Sequence, residues 1–195
     1  NDLYPGRSSA LSFNEFGSFG LRTNGIKVKA NSPEYRFLGT YNYHSAGGFR
    51  PHSFDYWHIV NAGVQTTPGD LSTLAVHAYY VEGLIRLPGS LTRAQFDADP
   101  WQANAREVSR DTRRLTKKGR VGVRYTSFFG NKKEHQFEVT GYGTVKYFER
   151  LAKTFRIFNR NGVGMSAHYT GRFPLFGSAD EFTAGVDAFY QTGPI

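Results

Sequence analysis

At 195 residues the chain is long enough for one sizeable core, and no shift in composition separates it into two domains. It has no cysteine, which excludes disulfides and thiolate metal sites, and no apolar run of about 18 residues, which excludes a membrane helix but not a membrane barrel. The net charge of +8 calls for an acidic partner: nucleic acid, anionic lipid or a small anionic ligand.

Aromatics at 16%, dominated by Tyr and Phe, together with 22 glycines and a single Met predict an all-β fold. Residues 4–9 read as an irregular lead-in. Leu11 and Phe13 begin a short strand that ends in a turn over 17–20. Over 21–30, Ile26, Val28 and Ala30 alternate with Lys27 and Lys29, and Asn31-Ser32-Pro33 supplies a tight turn. Over 35–44, Tyr35, Phe37, Gly39, Tyr41 and Tyr43 oppose Arg36, Thr40, Asn42 and His44. A loop over 45–53 follows, then strands over 56–65 and 71–82 joined by a turn at 67–70. Further strands are expected at 120–129, 134–150, 163–173 and 182–188, with a loop over 151–162 and a turn over 174–180. That makes about nine strands.

The connections alternate in length. Those near Asn31, Thr67, Gly130 and Phe176 are short, and those near Gly47, Leu87 and Arg156 are longer, as in an outer-membrane barrel. The aromatic doublets Tyr79-Tyr80, Phe128-Phe129 and Tyr147-Phe148 suit interfacial girdles. Arg36, Arg120, Arg124, Glu138, Lys146 and Arg172 suit a polar lumen. A soluble antiparallel barrel or sandwich gives the same alternation, so both readings stand at this point.

The longest stretch without alternation, residues 81–104, predicts a structured loop. Pro88-Gly89 marks a turn, and Thr92 with Gln95 has the form of a capping box for a short helix that Pro100 stops. This loop and its continuation carry Arg86, Arg93, Arg106, Arg110, Arg113, Arg114, Lys117, Lys118 and Arg120 against Asp97, Asp99, Glu107 and Asp111, an excess of +5 out of +8. Arginine forks recognise planar carboxylates bidentately.

Phe16-Gly17-Ser18-Phe19-Gly20, Gly48-Phe49-Arg50-Pro51-His52-Ser53 and Leu87-Pro88-Gly89-Ser90-Leu91-Thr92 with Gln95-Phe96 and Asp99-Pro100 occur in an order and spacing that resemble TonB-dependent outer-membrane receptors, most closely the ferric dicitrate group. Ser90 departs from that pattern, since relatives often carry a second Gly there. The resemblance implies an up-and-down transmembrane β-barrel of 22 strands, of which residues 1–195 supply about nine N-terminal ones without the plug domain. It also implies location in the Gram-negative outer membrane, contact with lipid and lipopolysaccharide, and uptake of a ferric siderophore energised by TonB through the plug. Iron would arrive only inside its chelate, with no cofactor held by the chain. A different small anion, such as a redox cofactor, is the second possibility within the family.

The expected ligand-binding residues are Arg50, His52, Arg86, Arg93, Gln95, Arg106 and Arg110, with contact to lipopolysaccharide phosphate or plain solvation as the competing role for each. No direct metal site is expected from His44, His52 or His58, whose spacing lacks a third ligand on one face. Ser53, His52 and Asp55 are neighbours without triad geometry, and Asp97 and Asp99 suit a turn cap, so catalysis is not expected. Gly141-Tyr142-Gly143 and Gly162-Val163-Gly164 read as barrel glycines that ease curvature. Nucleic-acid binding is not expected either, because the aromatic face of 35–43 carries no Lys or Arg.

Overall fold

The computed structural model describes residues 7–175 and 178–193. The lead-in at 4–6 and the turn expected at Phe176 lie outside the described residues. Nine strands form one sheet in chain order: β1 (Ser9–Gly17), β2 (Leu21–Asn31), β3 (Tyr35–Ala46), β4 (Asp55–Gly69), β5 (Ser72–Arg86), β6 (Arg113–Phe129), β7 (His135–Leu151), β8 (Phe155–Leu175) and β9 (Ser178–Thr192). Every neighbouring pair is antiparallel.

Side chains alternate along a strand and opposed residues share a face, so the register sorts the whole sheet into two surfaces. One row of the first surface reads Val28, Gly39, Ala62, Ala78, Val121, Gly143, Val163 and Tyr190. The matching row of the second reads Lys27, Thr40, Asn61, Tyr79, Arg120, Thr144, Gly162 and Gln191. The sheet therefore has an apolar face and a polar face. Leu11 and Phe13 are exceptions, since β1 pairs them with Lys27 and Gly25 on the polar side.

Aromatic belts edge the apolar face at both ends. Toward the longer connections, the Tyr41 hydroxyl lies 2.9 Å from His58 Nδ1, Tyr43 packs on the same imidazole, and the Tyr80 hydroxyl donates to Glu82. At the other end Phe129, Tyr169 and Phe173 gather around His135. Between Gly119 and Phe129, β6 rises about 33 Å, which at a tilt near 40° gives roughly 25 Å of height, the thickness of an outer-membrane apolar band.

Curvature crowds the polar face. The buried strand positions Gly25, Gly63, Ala75, Gly83, Thr116 and Gly162 all belong to it, with Gly171 the exception, while Val121, Val145 and Val163 on the apolar face are more than half exposed.

Four sequence expectations change. Residues 151–162 are not a loop: β7 and β8 run on to a tight turn at 152–154. Asn159 and Asn161 interrupt the apolar face and hid the strand, whose Phe155 and Ile157 hold the parity. The long loop starts after Arg86 rather than at 81 and extends to 112, because β5 keeps pairing with β6 through Arg86 and Arg113. Consequently Arg113, Arg114, Lys117, Lys118 and Arg120 lie on a strand. Each aromatic doublet is also split: Tyr80, Phe129 and Tyr147 face the belts, whereas Tyr79, Phe128 and Phe148 point to the polar side.

Candidate ligand-binding site

Residues 18–20, 47–54, 87–112 and 152–154 connect strands at one end of the sheet, and the first three of these connections interlock. Within 87–112, Thr92 Oγ1 accepts from the Gln95 N–H and the Gln95 side chain accepts from the Thr92 N–H, closing the expected capping box on α1 (Arg93–Ala98). A second helix, α2 (Ala105–Ser109), is capped by Asn104, whose amide also donates to the Ser90 carbonyl at 2.9 Å. Five residues are too few for a periodicity to show, which is why sequence reading missed α2.

Three aromatics clamp the loops together. Phe19, Phe49 and Trp101 meet with ring centroids 5.8–6.4 Å apart, one ring from each connection. The Gly47 N–H donates to the Phe19 carbonyl at 2.8 Å, and Arg50 Nε donates to the Gln102 carbonyl at 2.8 Å.

Asp111 anchors the foot of the long loop. Its carboxylate bridges Arg113 and Arg86, the latter at 3.2 Å, and lies 3.8 Å from His52 Nε2. His52 in turn reaches the Thr112 carbonyl at 3.1 Å. Both His52 and Asp111 have positive φ, at 61° and 49°. Thr112, almost fully buried, donates to Glu107 at 2.6 Å.

The expected ligand residues thus divide. Arg50 is half-buried and the His52 side chain largely buried, and both hold loops together. Arg86 lies on the apolar face of β5 and pairs with Asp111. The Gln95 amide is committed to the α1 cap. Arg93 is exposed and pairs within α1 to Asp97 at 2.8 Å. Arg106 and Arg110 are exposed and have no ion pair among the described residues. Arg106 and Arg110 therefore present unpaired charges to solvent, Arg93 presents an exposed guanidinium already paired with Asp97, and the other four hold the same loop cap together.

Below the cap the polar face is lined by rings lying flat over glycines. A Cβ on Gly83 would overlap the Trp57 indole, and one on Gly164 would overlap the Tyr142 ring. Arg114 stacks over Phe148 and Arg120 over Tyr142, at 5.6 and 5.5 Å to the ring centroids.

No family profile matches the sequence. Among solved structures, the chain superposes on the unliganded ferric citrate transporter FecA with a TM-score of 0.69 and 20% identity, over 94% of this chain and 29% of that one. It superposes equally on FpvA of P. aeruginosa, bound to a heterologous pyoverdine and iron, with a TM-score of 0.70 and 14% identity, over 95% of this chain and 27% of that one. The fold is that of part of an antiparallel up-and-down transmembrane β-barrel. In such a barrel the banded apolar face is the outer surface and the polar face lines the lumen. The chain spans less than a third of either protein's length.

Proposed function

We propose that the chain is part of the barrel wall of a TonB-dependent outer-membrane receptor that takes up a ferric siderophore, specifically a ferric hydroxycarboxylate such as ferric citrate. The observation that carries this reading is the pairing of a belt-edged apolar face with an ordered, arginine-bearing loop cap, on a fold shared over nearly its whole length with two proteins that handle iron chelates. Arg93, Arg106 and Arg110 meet the anionic chelate, and Arg50, His52, Arg86 and Gln95 hold the cap that presents them. Outer-membrane lipid and lipopolysaccharide surround the belts, and TonB acts through a plug domain.

The alternative of a soluble all-β module is disfavoured by area. A compact globule of this mass exposes about 9,300 Å², whereas this chain exposes 13075 Å². Among the described residues Ala75 is the one hydrophobic side chain that is fully buried. A sheet with neither face covered by its own chain is suited to lipid on one side and lumen contents on the other. Its edges, β1 and β9, need further strands in a bilayer, where unpaired backbone groups cost several kcal/mol each.

The test is growth on ferric citrate as sole iron source, using the full-length gene in a strain without its own ferric citrate uptake. TonB-dependent growth that is lost in Arg93→Ala/Arg106→Ala/Arg110→Ala bears the reading out. Protein inserted in the outer membrane without growth overturns the citrate assignment and leaves another small anion as the cargo.

A further inference from the structure

Among the described residues four non-glycines have left-handed backbone, and three of them stand in the interlocked loops: Phe19 at φ 59°, His52 at 61° and Asp111 at 49°. Each of the three connections holds one. Asp tolerates that geometry, whereas a bulky residue such as Phe is strained in it. A strained residue of this kind persists only while its surroundings hold it.

What holds each one reaches beyond its own connection. The Phe19 carbonyl accepts from the Gly47 N–H at 2.8 Å, and the Phe19 ring meets Phe49 and Trp101 with centroids 6.4 Å away in both cases. His52 is held by the Thr112 carbonyl at 3.1 Å, an oxygen that also accepts from the Leu87 N–H at 2.9 Å. One acceptor thus ties the β3–β4 connection to both ends of the long loop. Asp111 is held by Arg86 and Arg113, at the ends of β5 and β6. Arg50 Nε adds a further tie by donating to the Gln102 carbonyl.

We infer that residues 18–20, 47–54 and 87–112 form one lid that opens and closes as a unit, with Trp101 as its central contact. A connection that swings away removes what holds the strained residues of its neighbours, so each opening makes the next easier. That is a coupling free energy between loops. Loops held only by their own hydrogen bonds open independently of one another. On the receptor reading the lid lies at the mouth above β1 to β6, and Arg93, Arg106 and Arg110 ride on one part of it. A ligand that fixes those arginines then also orders the β1–β2 turn without touching it. This consequence rests on that reading; the coupling itself rests only on the loop contacts.

The test is hydrogen exchange resolved to single amides in the full-length protein in detergent, with no ligand added. The reporters are the Gly47 N–H, between the first two connections, and the Leu87 and Asn104 N–H groups, which donate to the Thr112 and Pro88 carbonyls. The Ser32 N–H, in the turn at the opposite end of the sheet, is the reference. Trp101→Ala removes the ring contacts to Phe19 and Phe49. It is expected to speed exchange at all three reporters by one common factor, roughly tenfold or more, and to leave Ser32 unchanged. Asp111→Asn keeps the backbone geometry and weakens the foot of the long loop. It is expected to act in the same way with a smaller common factor, roughly fivefold.

Faster exchange confined to Leu87 and Asn104 overturns the inference, since the loops then open one at a time. Exchange that quickens equally at Ser32 overturns it as well, because the sheet then opens with the loops. So does exchange unchanged at every reporter in both variants, which removes the contacts that couple the lid. None of these outcomes depends on the cargo, so they leave the growth test of the receptor reading separate.

Discussion

Replacing Asp111 tests whether the loop cap is held by one carboxylate. Asp111 sits at φ 49°, bridges Arg86 and Arg113, and approaches His52. The ion-pair partners Arg86 and Arg113 are more than a third exposed, so each pair contributes only about 0.2–1 kcal/mol. The backbone adds a second cost: left-handed geometry suits Asp, Asn and Gly but penalises Ala by about 1–2 kcal/mol. Asp111→Ala is therefore expected to open the loop foot by about 2 kcal/mol, and Asp111→Asn and Asp111→Gly by about 1 kcal/mol. Hydrogen exchange at the Leu87 N–H, which donates to the Thr112 carbonyl, and at the Arg86 N–H, which donates to the Phe54 carbonyl, reads this opening directly. Two kcal/mol corresponds to roughly thirtyfold faster exchange. Identical exchange in the Ala, Asn and Gly variants would refute the backbone argument, and exchange unchanged from the parent in all three would refute the anchor.

Thr92→Ala removes the oxygen that accepts from the Gln95 N–H and is expected to destabilise α1 by about 1 kcal/mol, seen as earlier proteolysis within 93–98. Gly83→Val drives a side chain into the Trp57 indole, so Trp57 emission should shift and barrel stability fall by about 1–3 kcal/mol; unchanged emission would place the ring elsewhere. In the β6–β7 turn, hydrogen bonds from its own backbone N–H and that of Lys132 lower the Glu134 pKa. A depressed carboxylate stabilises the fold above its unfolded pKa of about 4.3 and loses that contribution as pH falls through the lower folded value. Exchange at the Lys132 amide should thus rise below about pH 4, beyond its intrinsic pH dependence, and Glu134→Gln should abolish that excess.

The strands were legible where three or more apolar residues keep one parity, as at 35–43 and 121–125, because a half-covered sheet imposes that period. The α1 cap was legible because Thr92 and Gln95 act over three residues of sequence. The β7–β8 junction was not, since Asn159 and Asn161 stand on the apolar face in the rows of the belt residues Glu82 and Tyr80, where polar groups and rings mix and no strict apolar period is kept. Asp111 looked like one acid among several, and its role depends on Arg86 and His52, brought near only by pairing of β5 with β6 and β4. Lys118, Lys146 and Arg160 stand opposite one another on the polar face, as do Arg114, Arg150 and Arg156, and a boundary error hid both rows. With β6 begun at Arg120, Arg114 and Lys118 counted as loop charge; begun at Arg113, parity alone puts Arg114, Lys118 and Arg120 on one face.

That parity links the stability of the wall to its use. A sheet destined for a closed barrel gains from apolar burial only when lipid covers the outer face, so its lumen face is free to carry groups that a packed core would reject. The opposed cations there do not stabilise the bare sheet, because a surface favours dispersed or paired charges over opposed triads. Nor do they serve the ladder, since Thr144 and Gly162 pair as well one row below. The glycines opposite Trp57 and Tyr142 let rings lie flat beside these charges. Charge, rings and small residues are thus combined on one face of the sheet, where opposed like charges lower its stability.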